Sequence, residues 1–226
     1  TPLYTVTISN RAGGTFDSYT LTQISDEKYK YKGGYDENGL YTSDIPVSLI
    51  LSTDDYCQPC LAVYDDLKDR YDLINAPFHL LSYSGLADTI FLGPGEEIDF
   101  KYVINDTNGN VLIQKTLSLS ADNFISLHNF TVNEDYFDYN NSLELMWTGG
   151  LRPTEENINE DIQYSSGIIS RAGELDNLAP GKKIFRKIYN GQTEWAAVRS
   201  KYFISALIAT QPGSFATLSA QDIIYG

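Results

Sequence analysis

The sequence predicts an all-β protein with a few short helices, its antiparallel sheets packed as a sandwich. Three observations point there. Runs of alternating apolar and polar side chains recur at roughly ten-residue intervals with turn residues between them. The chain carries 17 Tyr and 10 Phe, residue types that suit half-buried pleated surfaces better than helices. Two long alternating runs flank NDTNGN at 105–110, and an Asn-Gly turn between such runs is the strongest short-range hairpin signal.

Taken in order, YTVTIS at 4–9 alternates with period two, Gly13 and Gly14 end it, and 15–21 resumes the alternation, which makes a strand pair. Residues 26–44 mix Lys, Tyr, Gly and Asp around Gly33-Gly34 and Asn38-Gly39 and read as loop. Short strands are expected at 46–52 and 61–64, one helical turn at 65–71, strands at 78–83 and 89–92, and a turn at Gly93-Pro94-Gly95. Residues 98–119 form the hairpin named above, 123–133 pairs with it, and 143–147 is a further strand.

Between 153 and 164 the acidic run with Ile158 and Ile162 four residues apart suits a short surface helix with carboxylates near its start. Ordered segments follow at 167–170, 183–189 and 194–209, with 173–181 and Asn190-Gly191 as connections and a polar, small-residue tail after them. Trp195, Val198, Tyr202 and Ala206 would share a helical face, yet the same stretch fits two strands, and periodicity leaves both readings open.

The formal charge of −14 and a pI near 4.4 repel phosphate backbones and anionic headgroups, which argues against nucleic acid as a partner. No apolar run approaches the roughly 20 residues of a spanning helix. Thr1 in place of Met suggests a processed product or an excised segment. At 226 residues the chain can be one large β domain, and 1–226 is read as a single one.

Catalytic signatures are missing. There is no GxSxG elbow, HExxH helix, phosphate-binding Gly loop or GxGxxG fingerprint. His79 and His128 both sit in apolar alternating runs and read as buried, hydrogen-bonded core residues. Cys57 and Cys60 form a CxxC pair with no basic neighbour and with Asp54 and Asp55 upstream, so a local disulfide or two thiols fits better than redox catalysis. A zinc site would need two more ligands. Asp106, Asn108 and Asn110 imitate a calcium loop but lack its later bidentate Glu. No cofactor, metal or catalytic residue is assigned, and the chain is not expected to be an enzyme.

Three stretches carry a resemblance. TVTISNRAGGTFDSYTL at 5–21, FKYVINDTNGNVLIQKTLSLSADNFISLHNFTVNE at 100–134 and TEWAAVRSKYFISALIAT at 193–210 resemble the large extracytoplasmic (P1) domain between the first two membrane spans of YidC-type membrane protein insertases. The resemblance implies a two-sheet β-supersandwich similar to galactose mutarotase. It also implies a periplasmic domain of an inner-membrane protein, whose host assists nascent membrane proteins to insert and fold, alone or with the Sec translocon. In that family the working groove lies in the membrane portion, so no position here inherits its role. Trp195, Arg199, Tyr202 and Phe203 match the family's aromatic segment, where they serve as core and sheet-closing residues or as a partner surface. Strands that normally follow this segment in the family have no counterpart before Gly226.

Two other readings compete. A secreted carbohydrate-binding or lyase-like sandwich would use the abundant tyrosines as a stacking platform. A surface adhesin would need neighbouring repeats or an anchoring signal.

Overall fold

The computed structural model describes residues 1–36, 38–50, 56–64, 67, 69–82, 88–133, 135, 143–181 and 185–220. Its strands, in chain order, are β1 (Tyr4–Ser9), β2 (Thr15–Leu21), β3 (Ile24–Ser25), β4 (Lys28–Tyr29), β5 (Lys32–Tyr35), β6 (Tyr41–Pro46), β7 (Cys60–Tyr64), β8 (Arg70–Asp72), β9 (His79–Ser82), β10 (Glu97–Asn105), β11 (Val111–Ser120), β12 (Ser126–Val132) and β13 (Leu143–Met146). The helix α1 (Ile158–Tyr164) precedes β14 (Ser166–Arg171), β15 (Glu174–Leu178), β16 (Phe185–Arg199) and β17 (Ile204–Ala220). Every strand pairing is antiparallel, and the all-β class is observed. The chain divides into two compact units, one of Thr1–Tyr31 with Ile50–Gly149 and one of Lys32–Leu49 with Gly150–Gly226.

The first unit is organised by the sheet β12-β11-β10-β9. Period-two alternation puts Ile98, Phe100, Tyr102 and Ile104 of β10 opposite Leu119, Leu117, Lys115 and Ile113 of β11. Ser126, His128, Phe130 and Val132 of β12 continue the same face, because they pair with Leu119, Leu117, Lys115 and Ile113. Ile98, Leu117 and Leu119 pack with Phe16 of β2 and Ile50. Tyr102 and Ile113 pack with Leu61, Val63 and Phe78. Each fully buried Leu or Ile here contributes about 1.5–3 kcal/mol of transfer free energy.

The β1–β2 turn closes over this face. Ala12, Gly13 and Gly14 are successive left-handed residues, with φ of 49°, 69° and 89°. A Cβ on Gly14 would stand 2.8 Å from Tyr102 Cε2, so only glycine permits the approach. Beside it, β13-β7-β8 forms a small sheet, and Cys57 and Cys60 are joined as a disulfide with Cα atoms 5.5 Å apart.

The second unit holds the sheet β15-β14-β16-β17 and the β5–β6 hairpin. Its core is Ile169, Tyr189 and Leu218 with Leu178, Ala196 and Ala216 around them. β16 and β17 are 15 and 17 residues long, and their register slips twice, between Asn190 and Thr193 and between Thr193 and Trp195.

Several expectations are corrected. Residues 26–44 contain β4, β5 and most of β6 rather than loop alone; Gly33 and Gly34, at φ of 112° and 146°, lie within β5 and break the alternation that would have exposed it. No strand forms over 47–50, although Val47 and Ile50 are buried, and 51–52 lie outside the described residues. Arg70–Asp72 is a strand, not the end of a helical turn; Asp65, Asp66 and Lys68 lie outside the described residues. Residues 89–92 are not strand, and Ile90 and Leu92 pack on the core from a loop. The connection at 173–181 contains β15, Asn190 and Gly191 lie inside β16, and the tail continues β17 to Ala220. His79 is exposed. Trp195 and Val198 belong to a strand, Tyr202 to a turn and Ala206 to the next strand, which closes the helical reading.

Candidate functional site

The residues expected to form a surface lie on one hairpin. Trp195 and Arg199 point to the same side of β16, and their cross-strand partners on β17 are Ile208 and Ile204. Tyr202 and Phe203 occupy the turn, which is closed by Ser200 N–H donating to the Phe203 carbonyl at 2.9 Å. Trp195 and Phe203 are half-buried, whereas Arg199 is exposed and Tyr202 is 62% exposed. The side of β17 that carries Ile204, Ala206 and Ile208 is open, with Ile204 57% and Ile208 73% exposed.

Next to that turn, α1 presents carboxylates. Asn157 caps it by accepting from Glu160 N–H at 3.4 Å, and Glu160 and Asp161 in its first turn suit the helix dipole. Asp161 is not part of a solvated face. It is buried, and its carboxylate accepts from Thr154 N–H at 2.8 Å and from Lys201 N–H at 3.1 Å. Lys201 reaches Glu160 at 2.6 Å and Glu155 at 3.8 Å. The hydrogen bond to Glu160 foremost, and that to Tyr202 next, hold its ammonium above the ordinary lysine value. Tyr41, Glu155, Glu156, Asn157 and Glu160 line an open cleft of about 540 Å³.

A group missed by the sequence reading lies in the first unit. Lys115 is fully buried between Tyr102 and Phe130, its cross-strand neighbours. Its ammonium donates to the carbonyls of Ala12 and Gly14 at 3.4 and 3.3 Å and lies 5.4 Å from the Phe130 ring centroid. Among the described residues no carboxylate pairs with it. Burial pulls its pKa down to about 7. His128 lies close by on the same sheet face, with Nε2 3.0 Å from Ser126 Oγ. Burial first, and the charge of Lys115 second, lower it to about 3. The signal was available: Lys115 shares its parity along β11 with Ile113, Leu117 and Leu119. Closed off from solvent, the amine can fasten the left-handed turn to the sheet but can meet no substrate.

Among the described residues no group of three or more His, Cys, Asp or Glu side chains could hold a metal. The Asp106 carboxylate is taken up by its own turn, accepting from Asn108 N–H, Asn110 N–H and Asn110 Nδ2, each at 2.8 Å. No described helix is long and apolar enough to cross a membrane.

No family model matches the chain, and no solved structure matches it. Curated relatives do. The membrane protein insertase YidC of Chlorobium phaeovibrioides is 31% identical over 137 residues, 57% of this chain and 23% of the relative. That of Chlorobium limicola is 27% identical over 177 residues, 66% of this chain and 30% of the relative. That of Chlorobaculum tepidum is 26% identical over 213 residues, 91% of this chain and 32% of the relative. The chain thus spans less than a third of the length of these relatives. By sequence it is similar to one part of those YidC insertases.

Proposed function

We propose that this chain is a non-catalytic periplasmic domain, one β-supersandwich of the galactose-mutarotase type, of an inner-membrane insertase. In this reading its host assists nascent membrane proteins to insert and fold, alone or beside the Sec translocon. The similarity to YidC relatives over as much as 91% of the chain carries the reading. Two features support it. A disulfide between Cys57 and Cys60 suits an oxidising compartment. Lys115 and His128, drawn into the first unit's sheet face, are spent on structure rather than aimed at a cleft.

The test uses the full-length reading frame in a bacterium with two membranes. Protease added to spheroplasts should degrade the segment homologous to residues 1–226 without lysis, and newly made membrane proteins should crosslink to the host. Protection from protease in intact spheroplasts would place the domain on the cytoplasmic side and end the reading.

A further inference from the structure

The chain has three Asn-Gly dipeptides, at 38–39, 108–109 and 190–191, and each of them is exposed. Such a pair can convert itself. The glycine amide nitrogen, once it gives its proton to hydroxide, attacks Cγ of the asparagine; the N–Cγ bond forms, the bond from Cγ to the side-chain nitrogen breaks, and ammonia leaves with a proton from water. Water then opens the cyclic imide, at Cγ to give aspartate or at the backbone carbonyl to give isoaspartate. Glycine suits the attack because it has no Cβ to crowd it. The step needs a disengaged glycine N–H and a stabilised peptide anion, and the fold treats the three pairs differently on both counts.

Two pairs are held back by the same turn. The Asp36 carboxylate accepts from Asn38 N–H and Leu40 N–H, both at 2.9 Å, and that of Asp106 accepts from Asn108 N–H and Asn110 N–H, both at 2.8 Å. Within each turn the nucleophile is engaged: Gly39 N–H donates to the Asp36 carbonyl and Gly109 N–H to the Asp106 carbonyl, each at 3.1 Å.

The third pair lies in the slip of β16. Among the described residues the register gives Gly191 no partner on β14 or β17, and its φ is 110°. Arg171 Nη1 donates to the Asn190 carbonyl at 3.0 Å. That carbonyl belongs to the same peptide group as the Gly191 nitrogen, so charge left on the nitrogen by deprotonation is shared with an oxygen that the guanidinium already touches. Asp176 holds the guanidinium there at 3.2 Å, and the Tyr189 ring centroid lies 5.9 Å from its Cζ.

We propose that Asn190 is a self-modification site, at which Arg171 stabilises the anionic Asn190–Gly191 peptide and the chain converts Asn190 to aspartate and isoaspartate with loss of ammonia. Water is the only co-reactant. Either product sets a carboxylate beside Arg171, and isoaspartate also adds a methylene to the backbone at the slip. The site requires nothing of the insertase reading.

The experiment incubates the whole folded chain in mildly alkaline buffer. Peptide mass spectrometry follows the change from amide to acid at the three sites, and methyl transfer from S-adenosylmethionine by an isoaspartyl methyltransferase counts isoaspartate. Asn190 should convert about tenfold or more faster than Asn38 and Asn108. In concentrated urea the three rates should come within about threefold, since only the fold separates them. Arg171→Met should slow Asn190 about tenfold, less than the loss of a closed oxyanion donor because the Arg171 side chain is 36% exposed. Arg171→Lys keeps the cation and should recover most of that rate, and circular dichroism checks that both variants fold. The proposal is overturned if Asn38 or Asn108 converts as fast as Asn190 in the folded chain, or if the same order persists in urea. It is overturned as well if Arg171→Met leaves the rate unchanged, or if Arg171→Lys, folded, is as slow as Arg171→Met.

Discussion

Replacing Lys115 by methionine should stabilise the first unit and remove a pH dependence that the wild-type chain displays. Burial takes the Lys115 ammonium from an ordinary value of 10.5 to about 7. At about 1.4 kcal/mol per tenfold change, holding the charge in the folded state costs about 5 kcal/mol relative to the unfolded chain. Because the folded pKa lies below the unfolded one, the cost is fully present below about pH 7. It is relieved as pH rises toward 10.5, since over that interval the unfolded chain binds the proton and the folded one does not. The wild-type unit should therefore gain about 1.4 kcal/mol per pH unit, or nearly 3 kcal/mol from about pH 7.5 to about pH 9.5. Methionine fills the same channel without a charge but leaves the Ala12 and Gly14 carbonyls without the amine, which returns about 1–3 kcal/mol. The net gain near pH 7 is about 2–4 kcal/mol.

Urea unfolding provides the assay. The chain has two tryptophans, Trp147 in the first unit and Trp195 in the second, so a Trp195→Phe background makes fluorescence report the first unit alone. The pH range stops short of the ordinary tyrosine value, because burial holds Tyr19 and Tyr102 above it and their unfolded forms ionise first. The quantity read is the wild-type curve minus the Lys115→Met curve, which cancels the groups common to both. Parallel curves would refute the reasoning, since Lys115 would then titrate alike in the folded and unfolded chain.

Two further outcomes are expected. Gly14→Ala should cost about 2–4 kcal/mol in urea unfolding of the first unit, from a left-handed φ of 89° and a Cβ 2.8 Å from Tyr102 Cε2; a loss below half a kcal/mol would show that the turn moves aside freely. Asp161→Ala should destabilise the second unit by about 2–4 kcal/mol, followed by Trp195 fluorescence, because it strands the buried N–H of Thr154 and unties that of Lys201.

Where alternation ran unbroken, the fold was legible: β1, β2, β10, β11 and β12 lie within two or three residues of their expected ends, as does β7, a short apolar run buried on both faces. The strands that escaped notice lack that contrast. β15 (ELDNL) has no buried residue along its length and owes its conformation to pairing with β14, a tertiary cause that local pattern does not record. Gly191, at φ of 110°, reads as a turn, yet it sits where the register of β16 slips. The helix was visible from Ile158 and Ile162, but its decisive side chain is Asp161, whose burial depends on Thr154 and Lys201 and not on its neighbours in sequence. On the hairpin, the sequence picked out Trp195 and Arg199; that Ile204 and Ile208 stand beside them required the register. Lys115 was the avoidable omission, since an amphipathic count along β11 places it inside.

The paired slips in β16 and β17 have a mechanical meaning. An uninterrupted ladder is stiff along its length, and a pull on one end is felt at the other; a slipped register is a compliant joint that absorbs bending and extra twist. Because the joint falls between the half anchored by Tyr189 and Leu218 and the half ending at the 200–203 turn, a load on the outer half is taken up locally. The outer half is held separately, by β14 along 195–199 and by Asp161 at Lys201, so the twist at the slip sets its angle to the anchored half.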